Sequence, residues 1–363
     1  MREHGIQSSD IKRVVVRGVN WVGDMVMTVP ALRELRRILP GAHITLATRA
    51  SAEAIFAEAD FIDDLIIYER RPRDMHLVVR QIRAWRTRRF DLAVLFQNAF
   101  EAALIAAAAR VPLRFGYATD NRRLLLTHAL PIPTWRGERH EVFYYLNIVH
   151  QLERLLVNRP GMDVSAEPPG PRFDLGVSAE RQHAARTLLQ SRGLQADRPL
   201  VVLCPGSINS RAKRWPADRF AMLADQLIED VGVNLALIGA PEELEVAREV
   251  AAKMNHGAVI LTGGISFAQT IAVLSIADLL ITNDTGPAHI AAALGRPTLV
   301  IFGPTDPTTT RPFSSLAEIV RRPPPCAPCM LRDCPIDHRC MTAITPMEVF
   351  TQALALMQMG VAR

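Results

Sequence analysis

Arg13-Val14-Val15-Val16-Arg17-Gly18-Val19-Asn20-Trp21-Val22-Gly23-Asp24-Met25 is the stretch whose reading decides the fold. Its three consecutive valines read as a short buried strand, and the apolar pattern from Met25 to Leu39 reads as a helix stopped by Pro40-Gly41. A strand, a glycine-containing turn and a helix in that order open an α/β unit with a parallel sheet. Asp24 then stands at the C-terminal end of a parallel strand, where open α/β sheets gather their ligands. Gly23 lets a backbone or ligand approach closely there.

The alternation continues outward. His43 to Ala47 and Asp91 to Phe96 read as strands, Phe100 to Ala109 as a helix, and Glu141 to Leu156 as a longer amphipathic helix. Asn158 to Gly176 carries Pro160, Pro168, Pro169 and Pro171 with little periodicity and reads as a linker. Beyond it the pattern restarts. Strands are predicted at Leu200 to Leu203, Asn234 to Ile238, Val259 to Leu261, Leu279 to Ile281 and Thr298 to Ile301, with helices at Phe220 to Glu229, Glu242 to Met254 and His289 to Leu294. Thr345-Pro346-Met347-Glu348 carries the signature of a capping box at the start of a last helix. The expected organisation is therefore an α/β domain over 1–165, a second over 176–345, and a terminal helix over 346–363. Two similar halves joined by a hinge make a cleft between them the natural active site.

At 363 residues, 49% hydrophobic and 22% charged, the chain is long enough for two globular domains and too apolar for disorder. No apolar run approaches the roughly 20 residues of a membrane span. The polar N-terminus lacks the core of a signal peptide, so a cytoplasmic location is expected. The excess charge of +5 falls in the first half: up to Leu175 there are 25 Lys+Arg against 20 Asp+Glu, and beyond it 17 of each. Arg70, Arg71, Arg73, Arg80, Arg83, Arg86, Arg88 and Arg89 carry most of it, with Arg114, Arg122 and Arg123 further on. A phosphorylated acceptor, an anionic membrane surface or plain solvated helix faces all fit these arginines. Nucleic acid fits less well, because no interleaved aromatics accompany them. Lysine occurs only as Lys12, Lys213 and Lys253, against 39 arginines. A lysine kept at position 213 points to a contact, such as a phosphate, that wants a compact ammonium.

Three places carry candidate chemistry. Asp24 reads either as a helix-dipole partner or as a general base that takes a proton from an attacking hydroxyl. Pro205-Gly206-Ser207 and Lys213-Arg214-Trp215-Pro216 lie at a strand-to-helix junction suited to a phosphate. Their spacing is not that of a P-loop, and Gly18 to Gly23 is not a dinucleotide fingerprint. Trp215 and Pro216 read as structural. Asn283-Asp284-Thr285-Gly286-Pro287-Ala288-His289 offers free N–H groups at Thr285 and Gly286 to a pyrophosphate. Asp284 itself would repel phosphate, so it reads as a helix cap or as an acceptor for a sugar hydroxyl. His289 reads as structural or as a ligand contact. The turn Gly303 to Pro307 closes this region. Cys326-x2-Cys329-x4-Cys334-x5-Cys340 has three readings: a zinc or iron–sulfur site, a reduced loop, or a disulfide.

Together these motifs resemble glycosyltransferase family 9, the ADP-heptose:lipopolysaccharide heptosyltransferases, over residues 12 to 358. The first two are most similar to those of heptosyltransferase II, which adds the second inner-core heptose. The resemblance implies the GT-B architecture, two Rossmann-like domains facing a cleft with the C-terminal helix crossing back to the first. It implies Asp24 as catalytic base, Lys213 on the donor phosphates, and Glu243 on the nucleoside. Asp284, Thr285, Gly286 and His289 line the donor sugar and pyrophosphate, with Ser207 nearby. The expected reaction is inverting transfer of heptose from ADP-L-glycero-D-manno-heptose to lipopolysaccharide of a Gram-negative cell, without a catalytic divalent metal or other cofactor. Arg70, Arg71, Arg73, Arg122 and Arg123 are the expected acceptor contacts, and peripheral contact with the inner membrane is expected. The other readings are a family member with a different sugar or acceptor, including the first-heptose transferase, and a sugar-nucleotide-binding protein without turnover.

Overall fold

The computed structural model describes residues 7–69, 74–156 and 170–361. The chain divides into two compact units, Met1–Phe173 and Asp174–Arg363. The linker read between Asn158 and Gly176 lies outside the described residues as far as Pro169.

The first unit holds six strands: β1 (Arg13–Arg17), β2 (His43–Thr48), β3 (Asp64–Ile67), β4 (Leu92–Leu95), β5 (Leu113–Tyr117) and β6 (His128–Leu130). They are all parallel, in the order β3-β2-β1-β4-β5-β6. Val15 of β1 sits opposite Thr45 on one side and Ala93 on the other. A strand flanked on both edges and covered on both faces is wholly buried, which is why Val14 to Val16 are uniformly apolar instead of alternating. Strand order reverses between β1 and β4, and that switch point is where such sheets hold ligands.

The segment after β1 departs from the single helix expected over Met25 to Leu39. Two helices form instead, Val22–Met27 and Val29–Ile38. Pro30 has no N–H to donate and its ring crowds the preceding turn, so the chain breaks at Thr28. The Thr28 hydroxyl donates to the Met25 carbonyl at 2.7 Å and helps close the short helix. Asp24 therefore sits on a helix of its own, directly after the central strand.

The second unit repeats the plan with β7 (Leu200–Cys204), β8 (Asn234–Leu237), β9 (Val259–Ile260), β10 (Leu279–Asn283), β11 (Thr298–Phe302) and β12 (Ala317–Arg321). The order β12-β11-β10-β7-β8-β9 is again parallel throughout. Counted from its own first strand it is the same arrangement, with the switch point between β7 and β10. Pro205-Gly206-Ser207 and Asp284-Thr285-Gly286 follow those two strands. Helix Ala217–Val231 ends at Gly232, whose φ of 73° is left-handed and whose N–H bonds to the Ile228 carbonyl.

The terminal helix, Pro346–Val361, starts as the capping pattern predicts, with the Glu348 N–H donating to Thr345 Oγ1 at 3.3 Å. It packs on helix Ala217–Val231, β10 and β11. Val349, Phe350, Ala353 and Leu356 join Trp215, Phe220 and Ile301 in the core of the second unit. Its apolar stripe is thus spent on the sheet from which the helix emerges.

Candidate active site

In the first unit, Asp24 lies in the first turn of helix Val22–Met27, beside Trp21, which is 59% exposed. This helix packs on helix Glu141–Leu156. Tyr145 from that helix is buried, and its phenol is pushed far above the ordinary value, by burial first and then by the charges of Asp24 and Glu141. Burial likewise raises the Glu141 carboxyl, against the opposing pull of Arg136. The Arg136 guanidinium lies 4.4 Å over the Tyr144 ring, and Tyr144 stacks on Tyr117 at 4.2 Å. Asn98 Nδ2 donates to the Tyr144 hydroxyl at 2.8 Å, and Asn147 Nδ2 to the Tyr117 hydroxyl at 2.8 Å. Asn98 and Tyr117 come from the ends of β4 and β5, Glu141, Tyr144, Tyr145 and Asn147 from one helix, and Arg136 from the loop that precedes it.

Arg17, at the end of β1, is a residue that sequence reasoning missed. Its buried guanidinium donates to Gln97 Oε1 at 3.0 Å and Gln81 Oε1 at 2.6 Å, and lies 3.6 Å over the Tyr68 ring. The available signal was a charged residue at the end of an otherwise apolar central strand. Arg122, expected to hold an acceptor, is corrected. It is 0% exposed. Its guanidinium donates to the carbonyls of Tyr117 (2.9 Å) and Gln97 and to Asn98 Oδ1 (2.9 Å), bracing the loops after β4 and β5. Burial also lowers its pKa to about 10. Arg123 is exposed. Arg70, Arg71 and Arg73 lie outside the described residues.

The second unit gathers its expected residues around its switch point. Lys213 Nζ donates to Asp284 Oδ2 at 2.7 Å and to the Asp284 carbonyl at 3.3 Å. The lysine side chain is 25% exposed and the aspartate 7%. Thr305 Oγ1 donates to the same Oδ2 at 2.8 Å, so the Gly303–Pro307 turn supplies a partner to the site as well as closing it. Asp284 acts here as the anchor of the lysine. Asn283 ties the segments together: its Nδ2 donates to the Pro205 carbonyl at 2.8 Å and its Oδ1 accepts the Trp215 N–H at 3.0 Å. Trp215 is structural, with Nε1 donating to the Ile344 carbonyl at 3.1 Å.

Ser207 is buried, and its carbonyl accepts Arg214 Nη2 at 3.0 Å. Glu243 is buried across the glycines that follow β7 and β8, with Oε2 accepting the Ala240 N–H at 2.8 Å. Burial raises its carboxyl, and Arg214 opposes that rise. Thr285 precedes helix Gly286–Ala293, whose first N–H groups open at the end of β10. His289 is buried one turn along that helix. A held ammonium beside a helix N-terminus suits a diphosphate, and a buried carboxylate at the adjacent strand end suits a pair of hydroxyls. Asn283, Thr305 and Arg214 were not foreseen as part of this framework; all three lie in or beside the quoted motifs.

Residues 78–339 match the model of glycosyltransferase family 9 (heptosyltransferase), well over half of the chain. The chain belongs to this family. Among family 9 relatives, lipopolysaccharide heptosyltransferase 2 of Salmonella typhimurium is 29% identical over 326 residues, covering 85% of this chain and 88% of that protein. The Escherichia coli protein of the same name is 28% identical over 325 residues, with the same coverage. The solved structure of E. coli ADP-heptose LPS heptosyltransferase II matches with a TM-score of 0.79 at 26% identity, over 96% of this chain and 99% of that one. The chain is thus a family 9 glycosyltransferase, of the α/β GT-B class. Lys213, Glu243, Asp284 to Gly286 and His289 fall inside the matched segment, and Asp24 precedes it. Among the described residues no helix is long and apolar enough to cross a membrane.

Proposed function

We propose that this family 9 protein transfers heptose from ADP-L-glycero-D-manno-heptose to the inner core of lipopolysaccharide, placing the second heptose on the first. The observation that carries the reading is its similarity to two heptosyltransferase 2 proteins over 85% of the chain. A heptosyltransferase 1 relative is 23% identical over 299 residues, which favours the second-heptose reaction over the first.

Asp24 acts as the general base. It removes the proton from an acceptor hydroxyl whose oxygen attacks the anomeric carbon as the bond to ADP breaks, inverting that centre. The transition state carries positive charge on the sugar and growing negative charge on the diphosphate. Lys213, already held by Asp284, meets that negative charge together with the N–H groups of Thr285 and Gly286. These protein groups take the part that a divalent cation plays elsewhere. Glu243 accepts the ribose hydroxyls, and His289 and Ser207 complete the donor pocket.

The acceptor is anionic and lies in a membrane. The described helix Met75–Arg88 suits such a surface: Arg80, Arg83 and Arg86 are exposed along it, beside exposed Met75 and Val79. Peripheral contact with the inner membrane follows from this reading. ADP release from ADP-heptose, with a core acceptor already carrying one heptose, tests it. Acceptor-dependent release by wild type and its loss in Asp24→Asn are expected. Activity only on the heptose-free acceptor, or none on either, refutes it.

A further inference from the structure

The Cys326-x2-Cys329-x4-Cys334-x5-Cys340 run has no place in the transfer chemistry, yet the fold gathers it. All four cysteines line one small pocket, together with Ala212, Pro304 and Arg339. All are free thiols. Cys326, Cys329 and Cys334 sit on irregular backbone between β12 and the short helix Arg339–Thr342, and that helix carries Cys340. Four sulfurs within 15 residues of sequence thus line one small space, and thiolates are the ligands that soft tetrahedral cations prefer.

We propose that Cys326, Cys329, Cys334 and Cys340 bind one thiophilic metal ion, zinc or iron, as a structural clip. Among the described residues no such group is already arranged as a metal shell. The three loop cysteines lie on backbone held by neither helix nor strand, and the proposed shell requires them to close around the ion. Each thiol releases its proton to solvent as its sulfur–metal bond forms, and no electron is transferred. His338 is left out of the ligand set because it does not line this pocket; its Nε2 contacts the Ala212 carbonyl at 2.7 Å.

What the clip holds is visible in the hydrogen bonds of the same loop. The Ala212 N–H donates to the Arg332 carbonyl at 2.9 Å, and Ser210 Oγ donates to the Leu331 and Arg332 carbonyls at 3.3 and 3.2 Å. Arg211 pairs with Asp333 at 2.6 Å. On the other side, the Met330 N–H donates to the Pro304 carbonyl at 2.9 Å. The cysteine loop thus grips the segment that ends in Lys213 and the turn that presents Thr305 to Asp284. Bound metal makes that loop rigid and so positions the lysine, a consequence that rests on the donor-site reading above.

The test is metal content by mass spectrometry of the full chain, purified under reducing conditions without a metal-affinity tag. About one zinc or iron per chain is expected. Exchange with cobalt(II) should give the visible bands of a tetrahedral thiolate complex. Cys326→Ser and Cys329→Ser, at exposed and half-buried loop positions, should lose the metal with circular dichroism unchanged. Cys204→Ser, in β7, should keep it. Removing the metal should weaken ADP binding more than it lowers kcat. Metal-free wild type with no cobalt spectrum overturns the proposal, as does a disulfide within the run of the reduced, native protein. Neither outcome depends on heptose transfer. Metal without transferase activity refutes only the function.

Discussion

Gly206→Ala isolates one contact of the donor site. A β-carbon built on Gly206 overlaps the Glu243 carboxylate and lies 2.9 Å from the Glu243 β-carbon. The backbone at Gly206 is not left-handed, so alanine adds a steric conflict and no backbone strain. On its other side Glu243 packs close to Gly239, where an added β-carbon would stand 3.0 Å from Oε2. Displacing the carboxylate costs it the Ala240 N–H and, on the proposed roles, its donor contact. A hydrogen bond to a charged acceptor is worth about 1.5–3 kcal/mol. At 1.4 kcal/mol per tenfold, ADP should bind roughly 10- to 150-fold more weakly. Titration calorimetry on wild type, Gly206→Ala, Glu243→Ala and the double variant reads the effect. In the double variant the clash partner is gone, so its affinity should equal that of Glu243→Ala. Additive losses, or wild-type affinity in Gly206→Ala, refute the argument.

Asp24→Asn should lower kcat by about 10²- to 10⁴-fold and leave ADP affinity unchanged; a kcat near wild type removes Asp24 as base. Lys213→Ala deletes a charge-assisted contact worth about 1.5–3 kcal/mol and leaves Asp284 with one fewer partner. Both ADP affinity and Tm should fall, and an unchanged thermal shift on adding ADP contradicts this. Glu141 has a raised carboxyl, so the native state holds its proton more tightly than the unfolded chain, where the value is near 4.5. Its stabilising contribution is full below that value and is lost as pH rises through the folded value. Glu141→Gln should therefore gain Tm relative to wild type on going from pH 4 to pH 7. A constant difference across that range speaks against the shift. Reversing Arg80, Arg83 and Arg86 to Glu should cut binding to anionic vesicles by ~100-fold or more, at about 1 kcal/mol per lost charge. Equal binding to neutral vesicles by wild type contradicts an electrostatic surface.

The central strands of both sheets were legible because burial on two faces forces an unbroken apolar run. Those overlooked, β3, β5, β6 and β12, are at or near sheet edges and carry charged residues that are not fully buried, such as half-buried Arg114 and exposed Glu318. With one face partly wet, their composition resembles that of loops. The break at Thr28 was legible in Pro30, but the amphipathic pattern running past it hid the signal. Arg122 was not legible, since its partners are carbonyls five and twenty-five residues away in the chain. Local charge density shows where arginines are but not which ones the backbone will consume. The donor-site motifs were readable because their residues lie beside strand ends. Thr305 became part of them only when the order of β10 and β11 set two turns side by side.

Each unit has its own parallel sheet with its own switch point, and the proposed base and donor grip are divided between them. Such a chain is a natural object for recombination. A crossover near Phe173 and Asp174 exchanges one complete half without cutting a strand of either sheet. On the proposed roles, a hybrid with a foreign first unit would keep its appetite for the ADP-sugar while acquiring a new recipient. Diversity of cell-surface glycans can then arise by shuffling whole halves, with no residue of the donor grip altered.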